Sequence, residues 1–103
     1  MALTRVLARA VPEVFVERAE ITYAPLAKAY FIIVHPSHVK YWLRFHKKYP
    51  HYKRIALRYG VSEHNISGCC PEFFNKADLV NWLVDVLSLS RGERKLLRLC
   101  MRT

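Results

Sequence analysis

Acidic residues are absent from the middle of this 103-residue chain, since no Asp or Glu lies between Glu20 and Glu63. The segment 21–62, called here the acid-free segment, contains eight Lys or Arg residues, four of the five histidines and all six tyrosines. The whole chain has a formal net charge of +9. A segment of one charge sign that is rich in amphipathic rings is typical of a surface for a polyanion, a lipid headgroup layer or an acidic protein. An ordinary solvated basic face has the same composition.

Glycine and long apolar runs are also scarce. Three glycines are too few for a glycine-rich phosphate loop. The longest uninterrupted apolar run, 29–34, is far shorter than the about 20 residues that a membrane-spanning helix needs. The acidic residues are few and scattered, so the sequence predicts no general acid–base pair. We therefore expect a non-enzymatic protein that binds no cofactor and no small-molecule substrate.

The three cysteines do not predict a disulfide framework, because their number is odd and Cys69 and Cys70 are adjacent. This usage favours a reducing compartment. Either thiol could pair with His64 as nucleophile and base, but an inert buried cysteine is the commoner case. His35 and His38 are separated by a proline, which argues against a shared helical face, so no metal site is predicted.

The first eleven residues, MALTRVLARAV, place Arg5 and Arg9 on a small and apolar background, and the first acidic residue is Glu13. This amphipathic, arginine-bearing and acid-poor composition resembles a mitochondrial import sequence, although it has no serine. A basic first helix is the alternative interpretation. The sequence therefore predicts a protein of the mitochondrial matrix or inner membrane, with 1–11 as an import-like segment.

The sequence predicts one domain, 1–103, of mainly α class, with about four to five helices and a helical body over 37–103. Residues 21–34 are ambiguous, because the apolar run there suits a short β segment or hairpin as well as a buried helix. Ser37 is a candidate N-cap for a helix that ends before Pro50. Residues at i, i+3, i+4 and i+7 predict the buried face of this helix: Val39, Trp42, Leu43 and His46.

Polar residues that can cap helices mark three further helix starts. They are Ser62, Asn75 with Asp78, and Ser90 with Glu93. Gly60 is placed for a left-handed C-terminal cap of the helix that begins near Tyr52. In the last helix three residues are predicted to face inward: Leu96, Leu97 and Cys100.

Nine of the thirteen residues from Ala77 to Leu89 are apolar, so this helix must be covered over most of its circumference. A chain of this length is expected to be too small to cover the helix alone. Part of the helix is therefore predicted to be a partner interface, formed by Leu79, Trp82, Leu83 and Val86.

The stretch 52–71 predicts two short helices joined by a turn, with Ile55 and Ala56 in the first helix, Gly60, Val61 and Ser62 at the turn, and Ile66 in the second helix. With these residues the stretch resembles the helix-turn-helix family of DNA-binding motifs. The resemblance implies that the following residues face the DNA groove, with the asparagine as base reader: Glu63, His64, Asn65 and Ser67.

The densest mixture of cations and rings is the basic aromatic segment, 40–54. Its predicted partner-binding residues are Lys40, Tyr41, Trp42, Arg44, Phe45, Lys47, Lys48, Tyr49, Tyr52, Lys53 and Arg54. Such residues can bind RNA phosphates and stack on bases, lie at the headgroup level of a bilayer, or anchor a protein interface. Composition alone does not choose among these three partners.

These features together predict a non-enzymatic accessory (supernumerary) structural subunit of a mitochondrial inner-membrane respiratory-chain or ATP synthase complex. Such a subunit would dock on other protein subunits, and on anionic lipid, through the basic aromatic segment and the apolar helix. Two alternatives stay open: a mitochondrial ribosomal protein that binds rRNA, and a helix-turn-helix DNA-binding protein.

Overall fold

The computed structural model describes residues 2–100, which fold as a small α+β domain. Its elements are α1 (Ala2–Ala10), β1 (Val16–Ala24), β2 (Ala29–Pro36), α2 (His38–Lys48), α3 (Tyr52–Arg58), α4 (Glu63–Ile66), α5 (Lys76–Leu87) and α6 (Arg91–Cys100). The described residues thus form six helices and one two-stranded antiparallel sheet. The prediction of a mainly α domain with four to five helices is wrong, because a helix and a complete β hairpin precede residue 37.

The hairpin is held by backbone pairing on both edges of β2. On one side β1 and β2 pair in antiparallel register from Ala24 opposite Ala29 to Val16 opposite Pro36, with an irregularity near Val16. On the other side Tyr30 exchanges two backbone hydrogen bonds with Phe73, with N–O distances of 2.6 and 2.8 Å. The apolar run of the sequence therefore forms a strand between two partners. Of the alternatives for residues 21–34, the hairpin is confirmed and extends over 16–36, and the buried helix is wrong.

The core is built around aromatic rings of α2, of α5 and of Phe73, which lies between α4 and α5. The Trp42 and Phe45 rings of α2 lie 4.8 Å apart, and the Trp82 ring of α5 lies 6.0 Å from Phe45 and 5.3 Å from Phe73. Several of these pairs are tilted or edge-to-face, as the ring quadrupole favours. The Trp82 indole Nε1 also donates a hydrogen bond of 2.9 Å to the Tyr52 carbonyl oxygen. Helix α5 is thereby fixed against both α2 and α3.

Helix α5 is covered by the chain itself. The four residues predicted to form a partner interface are all buried within the domain: Leu79, Trp82, Leu83 and Val86. The helix packs on α3, α6 and β2, and its indole packs on rings of α2. The expectation that 103 residues cannot cover this helix is wrong, because α2, α3, α6 and β2 together cover it.

The import-like segment is an integral part of the fold. Helix α1 buries four apolar residues against β1 and α6: Leu3, Val6, Leu7 and Ala10. The hydroxyl of Thr4 accepts a hydrogen bond of 3.1 Å from the backbone N–H of Ala19. At the other end, the Tyr41 hydroxyl donates to the Leu7 carbonyl, and Lys48 Nζ donates to the Ala10 carbonyl at 2.6 Å. The Lys48 bond satisfies a carbonyl group that the end of the helix leaves free, and the Tyr41 bond is a second one to a carbonyl that also accepts from Val11 N at 3.3 Å.

Local capping signals are confirmed at four places. Gly60 has φ +79°, the left-handed conformation predicted after α3. The Ser62 side chain accepts from Asn65 N at 3.2 Å, Asn75 from Asp78 N at 2.8 Å, and Ser90 from Glu93 N at 3.3 Å. The prediction for Ser37 is wrong in part, because this residue precedes α2 but its side chain makes no capping hydrogen bond.

The inward face of α6 is confirmed for one of its three predicted residues. Leu97 is buried, Leu96 is exposed against the prediction, and the side chain of Cys100 lies outside the described residues.

Candidate docking surface

Helix α2 presents a different face to the core from the one predicted. Tyr41, Trp42 and Phe45 are fully buried, whereas Val39 is 60% and Leu43 63% exposed. The prediction that Val39, Trp42, Leu43 and His46 form the buried face is therefore wrong for the two aliphatic residues, Val39 and Leu43. The physical reason is area, because three large rings remove more apolar surface from water than a valine and a leucine do.

The outward side of α2 combines two exposed aliphatic side chains with three cations. We call it the α2 face, and it consists of Val39, Lys40, Leu43, Arg44 and Lys47. These side chains line an open concavity of about 660 Å³. Helix α2 contains no acidic residue, and none of the ion pairs within residues 2–100 involves these cations. Their charge is therefore available to a partner.

The aromatic rings predicted to bind a partner point into the domain instead. Tyr41, Trp42, Phe45 and Tyr52 are buried, and half-buried Tyr49 lies against Phe45 with ring centroids 5.0 Å apart. Buried rings are unavailable for stacking on bases or for insertion into a partner. The rings of the basic aromatic segment thus build the core, and its cations remain on the surface.

Three predicted cations lie outside the α2 face: Lys48, Lys53 and Arg54. Lys48 caps α1 through the Ala10 carbonyl and lies 5.7 Å from the centre of the Tyr49 ring. Lys53 lies 5.9 Å from the centre of the Tyr52 ring, and Arg54 is exposed on α3. Lys48 therefore has a structural task, while Lys53 and Arg54 lie on a helix other than α2.

The histidines next to this surface add little positive charge at neutral pH. The His38 Nδ1 accepts a hydrogen bond of 3.0 Å from Val34 N, and burial, with His35 nearby, lowers the pKa of His38. Burial and the charge of Lys53 lower the pKa of His46, whose ring stacks on Tyr52 at 4.3 Å. The positive potential of the α2 face therefore comes from lysine and arginine.

The helix-turn-helix resemblance holds for packing but not for the groove-facing side. Val61 and Ile66 are buried between the helices as the motif requires. The second helix, α4, has only four residues, and Asn65 is buried rather than exposed. The implied role of Asn65 as a base reader is therefore wrong, because its side chain lies inside the domain. Glu63, His64 and Ser67 are exposed.

Neither Cys69 nor Cys70 has the surroundings of a nucleophile. Cys70 is buried, and its Sγ donates to the Ile32 carbonyl at 3.7 Å. Burial raises the pKa of the Cys70 thiol to about 12 and also raises that of Cys69. The thiolate, which is the reactive form, is therefore disfavoured at both positions.

This chemistry predicts slow modification of Cys70 in the folded protein. At pH 8 we expect iodoacetamide to alkylate Cys70 on the order of a thousandfold more slowly than in the unfolded chain, because the thiolate fraction falls with the raised pKa and burial limits access. Peptide mass spectrometry with and without denaturant measures both rates. Equal rates in the two conditions would show that Cys70 is not buried as described.

No group of three or more His, Cys, Asp or Glu side chains within residues 2–100 is arranged to hold a metal ion. In the same range no helix has the length and apolar character needed to cross a membrane.

Comparison with known proteins finds no significant match to a family model, to a curated protein or to a solved structure. The function is therefore inferred from the residues and geometry of the surface.

Proposed function

We propose that this chain is a non-enzymatic accessory subunit that docks on an acidic protein surface through the α2 face. The observation that carries the proposal is the exposure of Val39 and Leu43 at 60% and 63%, directly beside Lys40, Arg44 and Lys47. Protein interfaces typically place apolar side chains at the centre and polar or charged ones at the rim. The matching partner surface is an apolar groove flanked by aspartate or glutamate side chains.

The α2 face lies on a helix that is packed firmly against the core. The buried rings of Tyr41, Trp42 and Phe45 hold the opposite side of this helix. A surface that is already ordered loses less conformational entropy when it binds. The cations accelerate encounter with an acidic partner and set the orientation of binding. A helix with this support can therefore dock without rearrangement of the domain.

The complex that we propose is a respiratory-chain or ATP synthase complex of the mitochondrial inner membrane. The import-like composition of residues 1–11 supports this location, and Arg5 and Arg9 are both exposed on α1. The burial of Tyr41, Trp42 and Tyr52 favours docking on protein over rRNA binding, because base stacking on these rings is not available.

The proposal predicts that Leu43→Asp weakens docking by at least about tenfold, as loss of a central apolar contact and burial of a charge would do. The measurement is co-sedimentation of the protein with complexes from detergent-solubilised mitochondria, with and without ribonuclease. The variant should stay folded, because Leu43 is exposed in the domain. The expected result is sedimentation of the wild type with an inner-membrane complex, unaffected by ribonuclease, and loss of this fraction for Leu43→Asp.

Leu57→Asp is the matched control, because Leu57 is also an exposed helical leucine, 47% accessible, but lies on α3. This variant is expected to sediment like the wild type. Equal loss in both variants would contradict a role for the α2 face. Release of the wild type from ribosomal particles by ribonuclease would replace the proposal with rRNA binding.

A further inference from the structure

A second charged surface lies on α6. Its four cations, the α6 stripe, occur at i, i+3, i+4 and i+7: Arg91, Arg94, Lys95 and Arg98. This spacing places them on one side of a helix, and all four are exposed. Leu97 is the buried residue among the described side chains of this helix and faces the core. At 1.5 Å per residue the stripe spans about 10 Å, so its charges act together.

The acidic residue of α6 is turned away from the stripe. Glu93 binds the Ser90 hydroxyl at 3.1 Å and the Arg9 guanidinium at 3.0 Å. Arg98 donates to the Asn81 amide oxygen at 3.1 Å, a neutral acceptor that leaves its charge uncompensated. None of the ion pairs in the described part of the chain involves the α6 stripe.

Two exposed leucines continue this surface on one side of the stripe: Leu99 is i+4 from Lys95, and Leu96 is i−3 from Leu99. Leu96 is 54% and Leu99 49% accessible. Leu99 and the α6 stripe together line an open concavity of about 460 Å³. Water is a poor environment for two neighbouring leucines, so the surface is suited to a partner that offers both negative charge and an apolar layer.

We propose that the α6 stripe binds the headgroups of anionic phospholipids, with Leu96 and Leu99 reaching the acyl boundary. Arginine and lysine meet the lipid phosphates while leucines enter the apolar layer, as in interfacial amphipathic helices. A nucleic-acid backbone would satisfy the cations but leave the leucines in water. The α6 surface is separate from the α2 face and requires no protein partner, so this proposal stands or falls independently of docking through α2.

The test is sedimentation of the full chain with vesicles of phosphatidylcholine alone and of equal parts phosphatidylcholine and phosphatidylserine. We expect binding to the anionic vesicles, weakened by salt, and little binding to the neutral ones. Each surface cation contributes about fivefold to such binding, so Arg94→Gln with Lys95→Gln should weaken it about twenty-five-fold. Glutamine has a helix propensity close to that of the native residues and makes no charge of its own.

The matched control removes the same charge from another helix. Arg54→Gln with Arg58→Gln on α3 is expected to change vesicle binding less than threefold. Leu96→Ser with Leu99→Ser should weaken binding about tenfold. Circular dichroism verifies that each variant is folded.

Three outcomes would overturn the proposal. One is equal binding to neutral and anionic vesicles, and another is an equal loss of binding for the α3 control. The third is full binding by the leucine variant together with displacement of the vesicles by a single-stranded RNA, which would assign the α6 stripe to nucleic acid. Sedimentation with complexes in detergent reports on the α2 face separately, because the bilayer is absent there.

Discussion

Trp82→Ala is expected to lower the free energy of unfolding by about 3–5 kcal/mol, the range for removal of a buried large aromatic side chain. The indole is buried among Trp42, Phe45 and Phe73, so its loss leaves a cavity that these rings cannot fill without moving. The Tyr52 carbonyl also loses its donor. Since small domains are stable by about 5–15 kcal/mol, this is a large share of the total.

Thermal unfolding followed by circular dichroism measures the effect. We expect the Tm to fall by more than about 12 °C for a domain of this size. Trp82→Phe separates the two causes, because it keeps a ring but removes the hydrogen bond to Tyr52. Leu43→Ala is the control, since this exposed residue should change stability by no more than about 0.5 kcal/mol. An unchanged Tm for Trp82→Ala would mean that α5 is not packed as described.

Because Trp82 and Leu83 are buried in the domain, a charged substitution at either position cannot test whether α5 binds a partner. A variant such as Trp82→Asp or Leu83→Asp would place an unpaired carboxylate in the core and unfold the domain. Loss of complex assembly in such a variant would therefore follow from unfolding and would say nothing about an interface. Leu43→Asp avoids this difficulty, because its site is on the surface.

Removal of residues 2–10 is expected to abolish the cooperative unfolding transition. The deletion takes four buried side chains of α1 from the core and leaves their partners on β1 and α6 exposed to water. It also removes the hydrogen-bond acceptors of Tyr41 and Lys48 and the hydroxyl that binds Ala19. Loss of several buried groups at once exceeds the margin of stability of most small domains.

The deletion is measured by denaturant titration, with fluorescence of the buried tryptophans as the signal. Leu7→Ala is the milder form of the same change and should cost about 2–5 kcal/mol. Arg5→Ala is the control within the helix, because Arg5 is exposed and its loss should be nearly neutral. A sharp transition of normal midpoint in the deleted protein would show that α1 is an appendage.

Sequence signals predict this fold well where a short-range interaction decides the conformation. The Asn75 and Ser62 caps and the left-handed Gly60 depend on atoms a few residues apart, so the local pattern contains all that is needed. The hairpin depends on pairing of β2 with β1 and with Phe73, far along the chain. A local window contains β1 but not Phe73, the second partner that fixes this apolar run as a strand, which is why residues 21–34 are ambiguous from sequence.

The charged residues of the docking surface could be predicted from the sequence, but its apolar residues could not. Lysine and arginine are rarely buried, so the exposure of Lys40, Arg44 and Lys47 follows from residue type alone. A ring, in contrast, stabilises a core or an interface equally well, and its place depends on what the rest of the chain offers. Here the rings of α2 pack against a core that contains Trp82 and Phe73, so Val39 and Leu43 on the other side of the helix are exposed.

The packing of α1 against α6 joins segments that lie far apart in sequence, as the Arg9–Glu93 ion pair shows with a separation of 84 residues. During synthesis, α1 can pack on β1 early, but its contact with α6 has to wait until the residues around Glu93 have been made. At about 5–20 residues per second, α1 waits for roughly 5–20 seconds. The part of α1 that packs on α6 stays exposed to water during that interval, and completion of the fold covers it.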